Sequence, residues 1–162
     1  MTRRTILPVA VLALALLLAA LALAACGSSD GSSGSSSSSG DVASALKGDD
    51  SISQYADAFA AAGITGDGPY TVFAASNDGI KAAGATLNGD AVKASVIEGQ
   101  NLSRTDLEKG TKNDSLLADN SVVTYTGTDG SLYVNDFKVV GDPITAGNGT
   151  IYIYDGAIQP KE

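Results

Sequence analysis

The sequence has no histidine, no tryptophan, one cysteine and one methionine. Without imidazole, Ser-His-Asp and Cys-His nucleophile pairs are excluded, as is any zinc site built on histidine. A single cysteine forms no intramolecular disulfide. Six Tyr and three Phe do not amount to a dense aromatic binding patch. Positive charge is scarce, with 10 Lys and Arg against 18 Asp and Glu and a net charge of −8. Nucleic-acid binders need a basic face, and a polybasic grip on anionic lipid needs clustered Lys and Arg. Neither is expected here.

What is present divides unevenly. Arg3 and Arg4 form a short positive start, and Ile6 to Ala25 carry no charge and are mostly Ala and Leu. The run closes on Leu23-Ala24-Ala25-Cys26. Small residues before a cleavage point mark an export signal, and Cys26 directly after them makes the segment resemble the bacterial lipoprotein signal. That resemblance implies a leader over 1–25, a diacylglycerol thioether on Cys26 and palmitate-type acyl chains holding the mature N-terminus. More than one chain is needed for a stable hold. The alternatives are an uncleaved helix, since 20 apolar residues can span a bilayer, and a simple secreted protein. Removing 1–25 takes away two arginines and no acid, leaving 8 basic residues against 18 acidic ones, or −10. Residues 27–40 are nine Ser, four Gly and one Asp. They bury almost nothing, so 26–40 reads as a lipidated Cys with a flexible tether. Its r.m.s. reach is roughly 20 Å. The domain is expected to face outward from the cytoplasmic membrane.

Residues 41–162 suffice for one domain. Asp41 is placed to cap a helix through Leu46, and Ser51 a second one in which Ile52, Tyr55, Ala56 and Phe59 form an apolar stripe. Tyr70–Phe73 and Ser95–Ile97 read as strands. Ser76 or Asn77 is placed to cap a further turn, and Ser103 with Asp106 forms a capping pair. After Ser115 short strands follow at Leu116–Leu117, Val122–Tyr125, Leu132–Val134, Phe137–Val140, Ile144–Ala146 and Ile151–Tyr154. Asp129-Gly130 is a hairpin signal. Helices first and strands last give an α+β class with a mainly antiparallel sandwich or wedge.

Two segments are more specific. Thr71-Val72-Phe73-Ala74-Ala75-Ser76-Asn77 resembles the first signature of the fasciclin domain. Asn148-Gly149-Thr150-Ile151-Tyr152-Ile153-Tyr154-Asp155-Gly156-Ala157-Ile158-Gln159-Pro160 resembles the second. Val96-Ile97-Glu98-Gly99 and Leu132–Val140 match the family's intervening pattern in order. Ala75 stands where the family usually has Pro, and Tyr152 where it has His. Ala94-Ser95 replaces the Tyr-His pair of adhesive animal members, so an integrin-contact role does not carry over. The pattern is similar to actinobacterial envelope lipoproteins made of a lipobox, a Ser/Gly tether and one fasciclin domain.

The resemblance implies mostly structural work for Thr71, Val72, Phe73, Asn77, Asn148, Gly149, Ile151, Asp155 and Pro160. Val72 and Phe73 are expected to alternate across a central strand with Phe73 inward. Asn77 and Asp155 are expected to satisfy nearby backbone groups, and Pro160 to end the last strand. Asp41, Asp49 and Asp50 lack the spacing of a calcium loop. Asp106 and Glu108, two apart on a helix, do not face each other as a glycosidase pair would. No catalytic residue, cofactor or metal is assigned. The leading expectation is a non-catalytic adhesion or interaction module binding an extracellular protein or glycan. The alternative is a carrier with an enclosed pocket for a lipid or sugar. A hydrolase with a carboxylate-only or Ser-Lys mechanism ranks third.

Overall fold

The computed structural model describes residues Gly40–Lys161. The leader, Cys26 and the tether up to Ser39 lie outside the described residues. Helices α1 (Val42–Lys47), α2 (Ser53–Ala61), α3 (Asn77–Ala83), α4 (Gly89–Ala94) and α5 (Arg104–Glu108) precede or interleave with seven strands. The strands are β1 (Tyr70–Ala75), β2 (Val96–Glu98), β3 (Thr111–Asp114), β4 (Ser121–Thr126), β5 (Leu132–Val134), β6 (Phe137–Ala146) and β7 (Gly149–Tyr154). No helix among the described residues is long and apolar enough to cross a membrane.

The helices have at most nine residues, shorter than helices that persist alone in water. They persist through caps and burial. Asp41 Oδ1 accepts from the Ser44 N–H at 2.8 Å, Ser76 Oγ from Gly79 at 2.9 Å and Asn88 Oδ1 from Ala91 at 2.8 Å. Ser103 and Asp106 form a reciprocal capping box on α5. Ser51 does not cap α2. Its own hydroxyl donates to Asp49 at 2.6 Å, and Asp49 caps a 3₁₀ turn, Asp50–Ile52, that leads into the helix. Tyr55, Ala56 and Phe59 bury the inner face of α2.

The strands form a seven-stranded sheet in the order β2-β1-β7-β6-β5-β4-β3. All neighbours are antiparallel except β1 and β7, which run parallel as the second and third strands from the β2 edge. β6 serves both halves. Phe137 and Lys138 pair with β5, while Val139–Ala146 pair with β7. The register shifts between Val140 and Ile144, where Gly141 takes a φ of +69°. Such an irregularity bends a strand, and the bend turns the sheet into a wedge. The α+β class and the mainly antiparallel wedge of the sequence reading hold.

Four local expectations change. Phe137–Val140 and Ile144–Ala146 are one bent strand rather than two. Leu116–Leu117 are not a strand but a half-buried bend, tied to β2 and α4 by Leu116 N–H to Val96 O (2.8 Å) and Leu117 N–H to Lys93 O (3.2 Å). The neighbouring strand is Thr111–Asp114, whose Thr-Lys-Asn-Asp alternation contains no large apolar residue to announce it. Pro160 does not end β7, which stops at Tyr154, six positions earlier. Finally, every residue of β1 is buried. Phe73 is inward as expected, but Val72 is equally enclosed because helices cover the other side of the sheet. Parallel strands buried on both faces read as near-continuous apolar runs, as Tyr70–Ala75 does with Thr71 alone interrupting it.

Candidate functional site

The two signatures, some seventy residues apart in the chain, lie side by side. Thr71 is opposite Thr150, Val72 opposite Ile151 and Phe73 opposite Tyr152. Phe73 and Tyr152 stack at 5.7 Å, and the Tyr152 hydroxyl donates to Leu102 O at 2.9 Å. Burial pushes that phenol up to about 12. Thr71 Oγ1 donates to Gln100 O and accepts from the Leu102 N–H, at 2.8 and 2.9 Å. Asn77 Nδ2 donates to Asp50 O (2.8 Å) and Ser53 Oγ (3.0 Å), and its Oδ1 accepts from the Gln54 N–H, pinning α3 to the start of α2. Asn148 Oδ1 accepts from the Val42 N–H at 2.8 Å, while its carbonyl accepts from the Tyr70 N–H. Gly149 packs against the Tyr70 carbonyl with no room for a side chain. Asp155 is exposed and accepts from the Ser76 hydroxyl at 3.4 Å. Ile151 is fully buried, and Pro160 is half-buried in the C-terminal segment. These residues fasten the domain together and present no cleft.

The position of the animal Tyr-His pair also points inward. Ala94 and Ser95 are each 1% exposed. Ser95 Oγ donates to Val92 O at 2.8 Å, so the buried Tyr55 hydroxyl, 2.7 Å away, donates to Ser95.

A surface with binding character forms elsewhere, on the outer face of β4 and β5. Alternation turns Val122 and Thr124 inward and Val123 and Tyr125 outward, 40% and 37% exposed, the two exposed large hydrophobic residues among those described. Tyr125 lies opposite Tyr133 in the ladder. Their rings stack at 5.4 Å and 8°, the arrangement in which cross-strand aromatic pairs stabilise a sheet. Tyr125 OH donates to Asp136 Oδ1 at 3.1 Å, and Tyr133 OH to Asp129 Oδ2 at 3.2 Å. Lys138 binds the same Asp129 oxygen at 3.2 Å. Gly127 clears the space taken by the Tyr133 ring, since a Cβ there would lie 2.6 Å from Cε2. Asn135 and Asp136, both at positive φ, form the turn that aims Asp136 at Tyr125. Grooves flank the pair, one lined by Val123, Asn135, Asp136 and Lys161, the other by Thr126–Asp129. The sequence reading missed this face. Its signal was the outward register of Tyr125 and Tyr133 about the Asp129-Gly130 turn.

Asp106 and Glu108 are engaged in separate ion pairs, with Lys109 and Arg104, each at 2.9 Å. The Ser103 hydroxyl and then Lys109 hold the Asp106 carboxyl down at about 2, below the ordinary 3.8. The backbone N–H and hydroxyl of Ser131, helped by Lys138, hold Asp129 at about 2. Carboxyls this acidic cannot serve as general acids near neutrality. They do tie stability to pH. A depressed folded-state pKa contributes stability above the unfolded value near 3.8 and loses it as pH falls toward 2. Melting temperature is expected to fall through this acid window, and the Asp106→Asn/Asp129→Asn double variant to fall less steeply. An unchanged slope in thermal melts at constant ionic strength would remove these two groups from the account.

Comparison with known proteins agrees with the two-signature arrangement. No curated protein is significantly similar to the chain. A family model described as the fasciclin domain matches residues 50–160, which spans the 3₁₀ turn, both signatures and all seven strands. Domains of this kind generally serve as adhesion or interaction modules. With both signatures paired on adjacent parallel strands, the chain belongs to the fasciclin family.

Proposed function

We propose that this protein is a bacterial, actinobacterial-type surface lipoprotein whose fasciclin domain is a non-catalytic interaction module. In this reading residues 1–25 are a cleaved leader, Cys26 carries the lipid, 26–40 are the tether and 41–162 the domain. The domain faces outward from the cytoplasmic membrane and meets a protein or glycan of the envelope, matrix or host. Family membership is the observation that carries the interaction role. The Leu23-Ala24-Ala25-Cys26 ending and the Ser/Gly tract support the anchor. The stacked Tyr125 and Tyr133, flanked by Asp129 and Asp136, are the contact surface. Tyrosine offers a large rigid face with a polar edge, the combination enriched at interfaces. The carrier alternative calls for an enclosed apolar pocket for a lipid or sugar, whereas the clefts around Leu117, Tyr70, Tyr125 and Tyr133 are all open to the surface.

The test uses the full-length protein in a host that processes lipoproteins. Wild type is expected in the membrane fraction with the mass of a diacylglycerol-modified, cleaved chain, and Cys26→Ala without either. Tyr125→Ala/Tyr133→Ala is expected to stay anchored and folded, losing about 1 kcal/mol at most, while binding to cells, wall polymers or glycans falls about tenfold or more. Full binding by the double variant would move the contact off this face. Absence of any binding by wild type would end the interaction reading.

A further inference from the structure

A second feature, remote from the tyrosine pair, stands without a partner. Tyr70 opens β1 and is 3% exposed, yet its hydroxyl is buried with no hydrogen bond, the one buried side-chain polar atom so placed among the described residues. Such a group is destabilising unless something bonds to it. Tyr70 lines a cleft of about 210 Å³ with Ile64, Thr65, Lys93, Glu98 and Leu116. Neither Lys93 nor Glu98 takes part in an ion pair among the described residues. The cleft is therefore lined by an ammonium and a carboxylate that are in no ion pair among the described residues, with the Tyr70 hydroxyl buried beside the carboxylate.

The phenol and carboxylate converge. A Cβ on Gly66 would run into the Tyr70 hydroxyl and lie 3.3 Å from Glu98 Oε1. Both oxygens thus approach one point beneath the loop between α2 and β1. Residues 64–68 of that loop make no backbone hydrogen bond among those described, so the loop can shift without breaking one. Burial, then the charges of Glu98 and Asp67 and the nearness of the Glu98 carboxylate as an acceptor, hold the Tyr70 phenol above its usual range, so it remains a donor.

We propose that this cleft binds a small zwitterion of the α-amino-acid type, its carboxylate on Lys93, its ammonium on Glu98 and the Tyr70 hydroxyl bridging them. A singly charged ligand would engage only one of the two charges that line the cleft, and a neutral sugar neither. A zwitterion answers both, and the phenol donates to its carboxylate while accepting from its ammonium. Ile64 and Leu116 provide apolar wall for an aliphatic side chain. The volume lies below the roughly 300–1,000 Å³ of sites for drug-sized ligands, which suits a single amino acid.

The test is isothermal titration of the full chain in detergent with L-leucine, against isopentylamine and 4-methylpentanoate, which each keep one of its charged groups, and glucose. Leucine is expected to bind, with each one-charge analogue and glucose about tenfold weaker or worse. Lys93→Met and Glu98→Gln are each expected to lose about tenfold in leucine affinity. Gly66→Ala, which puts a methyl group on the hydroxyl, is expected to abolish binding with the fold intact by circular dichroism. Tyr70→Phe is expected to weaken leucine binding while its melting temperature without ligand stays the same or rises. No heat with leucine up to about 10 mM, equal binding of an analogue or glucose, or unchanged affinity in the Lys93 and Glu98 variants would each overturn the proposal.

Discussion

Replacing Gly79 with alanine is expected to destabilise the domain by about 3 kcal/mol. Helix propensity predicts the opposite sign. Gly79 sits in the first turn of α3, where alanine is ordinarily better than glycine by up to about 1 kcal/mol. Here propensity loses to packing. A Cβ at Gly79 would fall on the Gly156 nitrogen, with Asp155 C and Gly156 Cα each 2.9 Å away. These are backbone atoms and cannot rotate aside. Nor can the turn retreat, because Gly156 is itself pressed against the Phe137 ring. Helix, turn and ring form three layers in which two glycines leave no slack. Gly84 is the control. Its φ is +59°, with nothing within 4 Å of an added Cβ, so Gly84→Ala should cost only the left-handed backbone term of about 1–2 kcal/mol. Urea denaturation gives both values. A Gly79→Ala variant as stable as wild type would mean that the approach of α3 to the β7 turn is looser than these contacts require.

That contact shows where sequence reasoning reached and where it stopped. Capping is local chemistry, so Asp41 and the Ser103/Asp106 pair were legible from residues three apart, whereas the choice between Ser76 and Asn77 is decided for Ser76 only by the structure. Ser51 was misread because a closer competitor, Asp49, engages its hydroxyl. Tyr70–Phe73 read as a strand with Phe73 inward, but only tertiary packing shows that both of its faces are covered and that the second signature pairs along its edge. β3 stayed hidden because a polar edge strand beside β4 has no hydrophobic period to detect. The tyrosine face needed register, which two turns set, and the Tyr70 cleft needed tertiary structure outright. Tyr70, Lys93 and Glu98 come from three different elements or their ends, and nothing in their sequence spacing joins them.

Phe73→Ala is expected to cost about 3–5 kcal/mol, the range for deleting a buried phenyl ring. The site cannot collapse to spare it. Phe73 is fully enclosed on a strand with hydrogen-bonded neighbours on both sides, and its ring is stacked on Tyr152 at 5.7 Å. Tyr152 cannot swing into the space, because its hydroxyl is fixed to Leu102 O at 2.9 Å. Tyr152→Phe isolates that tether. It keeps the ring and leaves the Leu102 carbonyl without this donor, for about 1–2 kcal/mol. The two losses should not add. Once the tether is gone, the Tyr152 ring can lean into the Phe73 cavity, so the double variant should be less destabilised than the sum by about 0.5 kcal/mol or more. A loss of that size is a large share of the ~5–15 kcal/mol that holds a domain folded. The Phe73 variant is therefore expected to unfold at markedly lower urea, while Tyr125→Ala/Tyr133→Ala keeps its midpoint near wild type. Strict additivity in the Phe73/Tyr152 cycle would show that the hydroxyl does not hold the ring in place. A cost below about 2 kcal/mol for Phe73→Ala would show that the paired signatures are not the mechanical centre of the domain.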